Sequence, residues 1–248
     1  MDSLHPETFR QLRHGRFGEP YVYARECPST QELLHDPSLP EGAVAVAEHQ
    51  TSGRGRLGRT WEDVAGGSLL CSVLLRPVGG ALPQLSLVTA LATAEAIEKA
   101  TGLATQVKWP NDVLLDGRKV SGILLEAIGG SVVAGIGINV NQTEEELPAG
   151  TRLAPGSLLA ATGRRHDRAE LLATLLLRLE LAYDAWRNGG LDAVRTALEA
   201  RSSLRGHAVL VEGRAGVAGG LAPGGGLEVA LRSGGTVVVE SGEIELDE

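Results

Sequence analysis

The segment from Ala104 to Asn141 constrains the fold most. It holds three apolar runs, "TQVKWPNDVLL", "GRKVSGILLEA" and "SVVAGIGINVN", separated by the dipeptides Asp116-Gly117 and Gly129-Gly130. Asp-Gly and Gly-Gly accept the positive φ angles of tight hairpin turns, so the chain is predicted to reverse at each and run as neighbouring strands.

The segments before it extend the pattern. "GAVAVAEHQ" reads as a short strand ending at Gln50, and "SLLCSVLLRP" (Ser68 to Pro77) as a buried strand. "YVYARECPSTQELL" predicts a strand followed by a helix, with Ser29 as cap and Glu32 completing a capping box. "PQLSLVTALATAEAIEKATG" is the clearest helix of this half. Leu85, Val88, Leu91 and Ile97 keep helical spacing, and Gly102 stands where a C′ glycine belongs. Strands in series with one long helix among them indicate an α+β fold, the helix covering one sheet face.

The character changes after residue 165. "RAELLATLLLRLELAYDAWR" and "GLDAVRTALEARS" are amphipathic helices whose leucine stripes read as core faces. From Leu204 short β-runs alternate with glycines, which predicts a small barrel-like β domain with its boundary near Ser203. Two domains are therefore expected, 1–203 and 204–248.

Charge and composition exclude several classes. The formal net charge is -8, the opposite of the balance that gathers nucleic acid. Cys27 and Cys71 cannot make a disulfide framework or a zinc site by themselves and read as small buried hydrophobes. The N-terminal stretch has no apolar signal-peptide region, and no run approaches the ~18 apolar residues of a membrane span. A cytoplasmic protein without membrane or nucleic-acid partners is expected.

The stretch "GRGRLGR", Gly53 to Arg59, carries the glycine spacing of a dinucleotide-binding turn. Such a turn must open a helix and be followed about 20 residues later by an acidic residue. Here it runs into a Gly66-Gly67 break, and no Asp or Glu occurs between Asp63 and Glu95. No G-K-[ST] follows either, so a P-loop is excluded. A plain glycine-arginine surface loop and an RNA-binding tract stay open on this segment alone. Glycines that allow close backbone approach, combined with arginines that grip phosphate, also suit a mobile lid over a phosphorylated intermediate.

Two more segments bear chemistry. In "KWPNDVLL", Pro110 stiffens a turn presenting Asn111 and Asp112; asparagine can read a purine edge, and aspartate is a hard ligand for magnesium. A lone Asn-Asp is also ordinary turn chemistry, and Lys119 alone reads as a surface lysine. Gly122 inside an apolar strand weakens it unless something approaches the backbone. In "GIGINVN" small residues alternate before Asn139.

Taken in order, Ser29-Thr30, "HQTSGRGRLGRTW" (His49 to Trp61), "KWPNDV" (Lys108 to Val113), "GRKVSGILLE" and "GIGINVN" resemble the biotin protein ligases. The resemblance implies a mixed-sheet ligase domain like that of class II aminoacyl-tRNA synthetases, followed by a small SH3-like barrel. It implies a two-step reaction using ATP and Mg2+. Biotin becomes biotinyl-5′-AMP with loss of pyrophosphate, then passes to a lysine of a biotin carboxyl carrier domain of a carboxylase, releasing AMP. On this likeness Ser29, Thr30, Gln31, Gln50, Arg54, Gly55, Arg56, Lys119 and Gly122 contact biotin. Arg54, Arg56, Trp61, Asn111 and Asn139 contact ATP or the adenylate, Asp112 helps hold magnesium, and Lys119 and Arg56 are the catalytic pair. Position 31 is Gln where some relatives have Asn. About 20 residues precede the ligase segment, so the DNA-binding repressor role of some members is not expected. Monomers and homodimers both occur among similar ligases. A lipoate or octanoate transferase shares the core fold and is the nearest rival; it should lack the arginine loop and the KWPND segment together.

Overall fold

The computed structural model describes residues 4–78, 82–242 and 244–247. Seven strands make the main sheet: β1 (Tyr21–Cys27), β2 (Val44–Gln50), β3 (Ser68–Leu75), β4 (Thr105–Lys108), β5 (Asp112–Leu115), β6 (Arg118–Ile128) and β7 (Ser131–Asn139). Their order is β1-β2-β3-β7-β6-β5-β4. The β1–β2 pair is parallel and every other pair is antiparallel, so the sheet is mixed. Both turns form as expected. Asp116 and Gly117 have φ of 51° and 70°, and Gly129 and Gly130 have 54° and 83°.

Alternation along each strand sorts side chains between two faces. Val132, Ala134, Ile136 and Ile138 of β7 join Leu69, Cys71, Val73 and Leu75 of β3 in the main core. The long helix α2 (Leu82–Thr101) covers this side, backed by α4 (Arg168–Gly189) and α5 (Asp192–Ala200). Leu85, Val88 and Ile97 are fully buried, and Gly102 ends α2 with φ 78°. The opposite face carries small residues in register: Ala45 pairs with Ser72, Ser72 with Gly135, and Gly122 with Gly137. Leu74 and Val133 pack in a second apolar cluster on this face, and the patch of small residues beside them leaves room for something else to lie on the backbone.

The predicted helix after β1 does not form. Only one 3-10 turn, Glu32–Leu34, is present, and Ser29 does not cap it. Side chains at positions 29–31 turn inward instead: Thr30 Oγ1 lies 2.8 Å from Ser72 Oγ, and Gln31 Nε2 donates to the Leu124 carbonyl at 3.1 Å. Pro37 and Pro40 then deny the chain a longer helix.

Helix α1 (Pro6–Leu12) and the turn after it strap the start of the described chain to α4. Arg16 makes a two-pronged contact with Asp184, while Glu180 accepts from the Arg16 and Phe17 amides. A short α3 (Leu158–Thr162) follows β7. The C-terminal strands β8 (Ala208–Val211), β9 (Arg214–Leu221), β10 (Leu227–Leu231), β11 (Thr236–Val239) and β12 (Glu245–Leu246) form a separate antiparallel sheet, ordered β11-β10-β9-β8-β12. Chain segment 201–203 pairs with Val107 just before this sheet begins, through Val107 N to Arg201 O at 2.7 Å and Ser203 N to Val107 O at 3.1 Å. No helix among the described residues is long and apolar enough to cross a membrane.

Candidate active site

The small-residue face of the sheet is occupied by two side chains from outside it. A Cβ at Gly137 would lie 2.5 Å from Trp61 Cε2, and one at Gly122 would lie 3.0 Å from Trp61 Cζ3. A Cβ at Gly135 would lie 2.9 Å from Gln31 Cδ. The glycines of "SGILLE" and "GIGINVN" are therefore a floor on which Trp61 and Gln31 rest directly.

Two cavities meet above this floor. The smaller, about 60 Å³, is lined by Ser29, Thr30, Gln31, Gln50, Arg54, Gly55, Arg56, Trp61, Asn111, Lys119 and Gly122, among others. The larger, about 530 Å³, is lined by Arg56, Trp61, Asn111, Asp112, Lys119 and Asn139, together with Lys108, Arg152 and Ile244. All nine expected biotin residues thus come together at the smaller cavity. Of the expected nucleotide residues, Arg56, Trp61, Asn111 and Asn139 line the larger one with Asp112, while Arg54 does not. Gly55, Arg56, Trp61, Asn111 and Lys119 line both and mark the junction.

The head of the smaller cavity is a fixed polar corner. Gln50 Oε1 accepts from Thr30 N at 2.7 Å and from Thr30 Oγ1 at 3.1 Å. Ser29, Thr30 and Ser72 are buried, and a buried hydroxyl pays its desolvation only if bonded. Gln31 is anchored to sheet carbonyls rather than left free, its second contact being to Val133 O at 3.5 Å.

The loop from Thr51 to Trp61 closes over the corner. Thr51 N bonds Cys27 O, Gly55 N bonds Arg59 O at 2.7 Å, and Trp61 N bonds Gly53 O. Gly53 lies against the Trp61 carbonyl, where a Cβ would come within 2.4 Å. Leu57 sits at the tip with φ 57°, 68% exposed. Two ties reach from the loop to the sheet. Arg56 Nη1 donates to Asn111 Oδ1 at 3.1 Å, and Arg54 pairs with Glu126 Oε2 at 3.1 Å. Asp63 closes the loop's base, accepting from Gln50 N and contacting His49 Nδ1 at 3.0 Å. Two donors stay unused: Trp61 Nε1 and Arg54 Nε are buried with no hydrogen-bond partner among the described residues.

Charge concentrates at the junction. Lys119 Nζ lies 2.7 Å from Asp112 Oδ1 and 5.9 Å from the centre of the Trp61 ring. Burial lowers the Arg56 pKa and Arg59 adds to this, while Asp112 opposes it. Asn111 is held on its other side by Nδ2 to Ile123 O at 2.9 Å. Asn139 is buried; its amide donates to Gly156 O at 3.0 Å and its oxygen accepts from Gln142. Those bonds fix its orientation at the cavity wall.

The sequence patterns did not single out Lys108, Arg152, Glu126 or the His49–Asp63 pair. Lys108 was visible as the first letter of the KWPND segment, at a strand end beside a rigid turn. The other contacts join positions 14 or more residues apart, or lie in segments without a motif, and carry no local signal.

Residues 23–142 match the model of the biotin/lipoate A/B protein ligase family. The chain is 38% identical over 197 residues to a biotin–[acetyl-CoA-carboxylase] ligase of Paracoccus denitrificans, covering 73% of this chain and 80% of the relative. It is 37% identical over 192 residues to the bifunctional ligase/repressor BirA of Bacillus spizizenii, covering 73% of this chain but 59% of that longer protein. Among solved structures, the biotin protein ligase from Aquifex aeolicus in complex with biotin and ATP superposes with a TM-score of 0.83 at 35% identity, covering 93% of this chain and 99% of that one. With a mixed α+β architecture matched over nearly its whole length and these levels of identity, the chain belongs to the biotin/lipoate A/B protein ligase family, within its group of biotin protein ligases.

Proposed function

We propose that this protein is an ATP-dependent ligase that activates biotin as biotinyl-5′-AMP and transfers it to a specific lysine of a biotin carboxyl carrier domain. The observation that carries this reading is the pair of joined cavities, the smaller one holding an uncharged polar corner of Ser29, Thr30 and Gln50, with the cations Arg56 and Lys119 lining both at their seam. The Aquifex relative, solved with biotin and ATP, supports the assignment of those two ligands.

In the first step biotin's carboxylate oxygen bonds to the α-phosphorus while the bond to the β-phosphate oxygen breaks, releasing pyrophosphate. Two anions must meet, so fixed cations carry the catalysis. Lys119 and Arg56 hold the carboxylate and α-phosphate at the junction. Ser29, Thr30, Gln31 and Gln50 bind the ureido ring, with Arg54, Gly55 and Gly122 along the chain of the ligand. Trp61, Asn111 and Asn139 bound the adenine region. The unused Trp61 and Arg54 donors are available to the ligand. In the second step the carrier's lysine amine attacks the acyl carbonyl, and AMP leaves with the electron pair. Water exclusion by the loop protects the mixed anhydride between the steps.

Among the described residues no group of three or more His, Cys, Asp or Glu side chains gathers to hold a metal. That fits magnesium, which is commonly held by one or two carboxylates plus substrate phosphates. Asp112 is the carboxylate that would serve it, and the ion neutralises phosphate charge when bound. The reading also carries two domains, 1–203 and 204–248, a class II synthetase-like first domain, an SH3-like second one, and a cytoplasmic location alongside the carboxylase carrier.

The test is mass-spectrometric detection of acyl-AMP after incubation with ATP-Mg and equal biotin and lipoate. Biotinyl-AMP alone is expected. Lipoyl-AMP, or no adenylate from folded protein, overturns the proposal.

A further inference from the structure

Lys108 ends β4 at the wall of the larger cavity, half-buried, and among the described residues no carboxylate pairs with it. The acidic groups nearest in effect are engaged elsewhere. Asp112 is paired with Lys119 at 2.7 Å, and Glu245 faces Arg152 at 3.6 Å. Burial, Arg152 and Lys119 all act against its positive charge, with Asp112 and Glu245 opposing them. A part-buried ammonium near two other cations is unfavourable unless an anion completes the site.

Position says which anion. Lys119 and Arg56 line both cavities, whereas Lys108 and Arg152 line only the larger one, away from the Ser29–Gln50 corner. Lys108 lies one strand outward from Asp112, its register partner in the β4–β5 pair. A nucleotide with its α-phosphate at the Lys119 junction has its terminal phosphates left to place, and the wall of this cavity offers these cations. Lysine suits that task as a point charge for phosphate.

We propose that Lys108, with Arg152 beside it, receives the β- and γ-phosphates of ATP and the pyrophosphate they become. This rests on the adenylation reading above. As the bond from the α-phosphorus to its bridging oxygen breaks, the electron pair leaves on pyrophosphate, and Lys108 neutralises that growing charge without moving a proton. Its effect is therefore confined to the pyrophosphate-releasing half-reaction and its reversal.

The experiment uses the full chain with Lys108→Met and Lys108→Arg. Titration calorimetry with inorganic pyrophosphate measures binding directly, and pyrophosphate-driven reversal of purified biotinyl-AMP measures it in turnover. Lys108→Met should weaken pyrophosphate binding and raise the KM for ATP by about tenfold, with Lys108→Arg retaining most of both. Transfer from preformed biotinyl-AMP to a carrier domain involves no pyrophosphate and should differ from the parent by no more than about twofold. Unchanged pyrophosphate affinity in Lys108→Met overturns the proposal, and so does an equal loss in both half-reactions. A parent that binds pyrophosphate through Lys108 but makes no adenylate would sink the ligase reading while keeping the anion site.

Discussion

Lys119 Nζ and Asp112 Oδ1 stand 2.7 Å apart across the β5–β6 hairpin, at the seam of the two cavities. The hairpin explains the pairing, since its tight Asp116-Gly117 turn brings the two strands into register with Asp112 opposite Gly122. Glycine at 122 leaves the Lys119 stem room, a Cβ there falling 3.3 Å from Lys119 Cε. Lys119→Met should slow biotinyl-AMP formation by about 10²–10³-fold, the usual cost of one preorganised charge-stabilising donor. Pyrophosphate release in single turnover checks it. A parent-like rate would remove Lys119 from the reacting centre.

Arg56 reaches from the loop to Asn111, and Asn111 is itself held by the Ile123 carbonyl. That hydrogen bond has a charged donor, worth about 1.5–3 kcal/mol, so losing it should weaken closure about tenfold or more. Arg56→Gly is expected to release adenylate into solution, where it biotinylates bystander lysines. Free biotinyl-AMP after rapid filtration is the measure, and equal leakage from variant and parent would refute the lid role.

Arg54 and Glu126 form the loop's second tie, with side chains 37% and 25% exposed. Such a partly exposed pair contributes about 0.2–1 kcal/mol and is screened by salt. Glu126→Gln should therefore speed adenylate dissociation by at most about fivefold, and the difference should vanish near 1 M salt. A gap between variant and parent that survives high salt would mean packing, not charge, holds the loop there.

At the loop's base the His49 imidazole is held above its ordinary value, chiefly by its hydrogen bond with Asp63; Asp63 and Glu26 charges add to this, and burial opposes it. The sign follows from linkage. A group whose folded pKa is raised stabilises the folded arrangement fully below its unfolded value, and that contribution is lost as pH rises through the folded value. The loop base is then tightest in mildly acidic solution and loosens as His49 gives up its proton. Limited trypsin cleavage at Arg56 or Arg59 should rise as pH increases through that range, after correction for trypsin's own profile, and His49→Gln should flatten the response. Equal pH dependence in both proteins would discard the switch.

How far the sequence carries depends on range. The hairpins at Asp116-Gly117 and Gly129-Gly130, the helix ending at Gly102 and the strand ending at Gln50 were legible because each is written in adjacent residues. The capping pattern after Ser29 predicts a helix that does not form, because that pattern is local while the forces on Thr30 and Gln31 are not. Their partners are Gln50, Ser72 and Leu124, 20 to 93 residues away. The candidate site was readable as a set of motifs, yet their meeting depends on the register of Gly122 with Gly137, which the alternating glycines only suggest. Lys108 needed the cavity itself: the KWPND segment sets it beside a rigid turn, but only the cavity shows which wall it lines.

Gly137 gives the sharpest test of the glycine floor. Its added Cβ would lie 2.5 Å from Trp61 Cε2 and 2.9 Å from Nε1, nearer than atoms tolerate, and Trp61 is held at its amide by Gly53. Either the indole lifts or the strand shifts, and β7 is flanked on both sides by β3 and β6. The indole is the softer element, so Gly137→Ala should displace it, costing about 1–3 kcal/mol for overpacking. Trp61 belongs to the loop, so its displacement should also raise the KM for biotin and red-shift its fluorescence as the ring meets water. Gly67→Ala supplies the control: its Cβ meets Gln142 Cγ at 3.2 Å, away from the indole. Comparable stability loss there, without the fluorescence shift or the change in KM, would separate a damaged fold from a displaced tryptophan. A Gly137→Ala protein with parent-like fluorescence and KM would mean that Trp61 does not rest on this floor when substrate is bound.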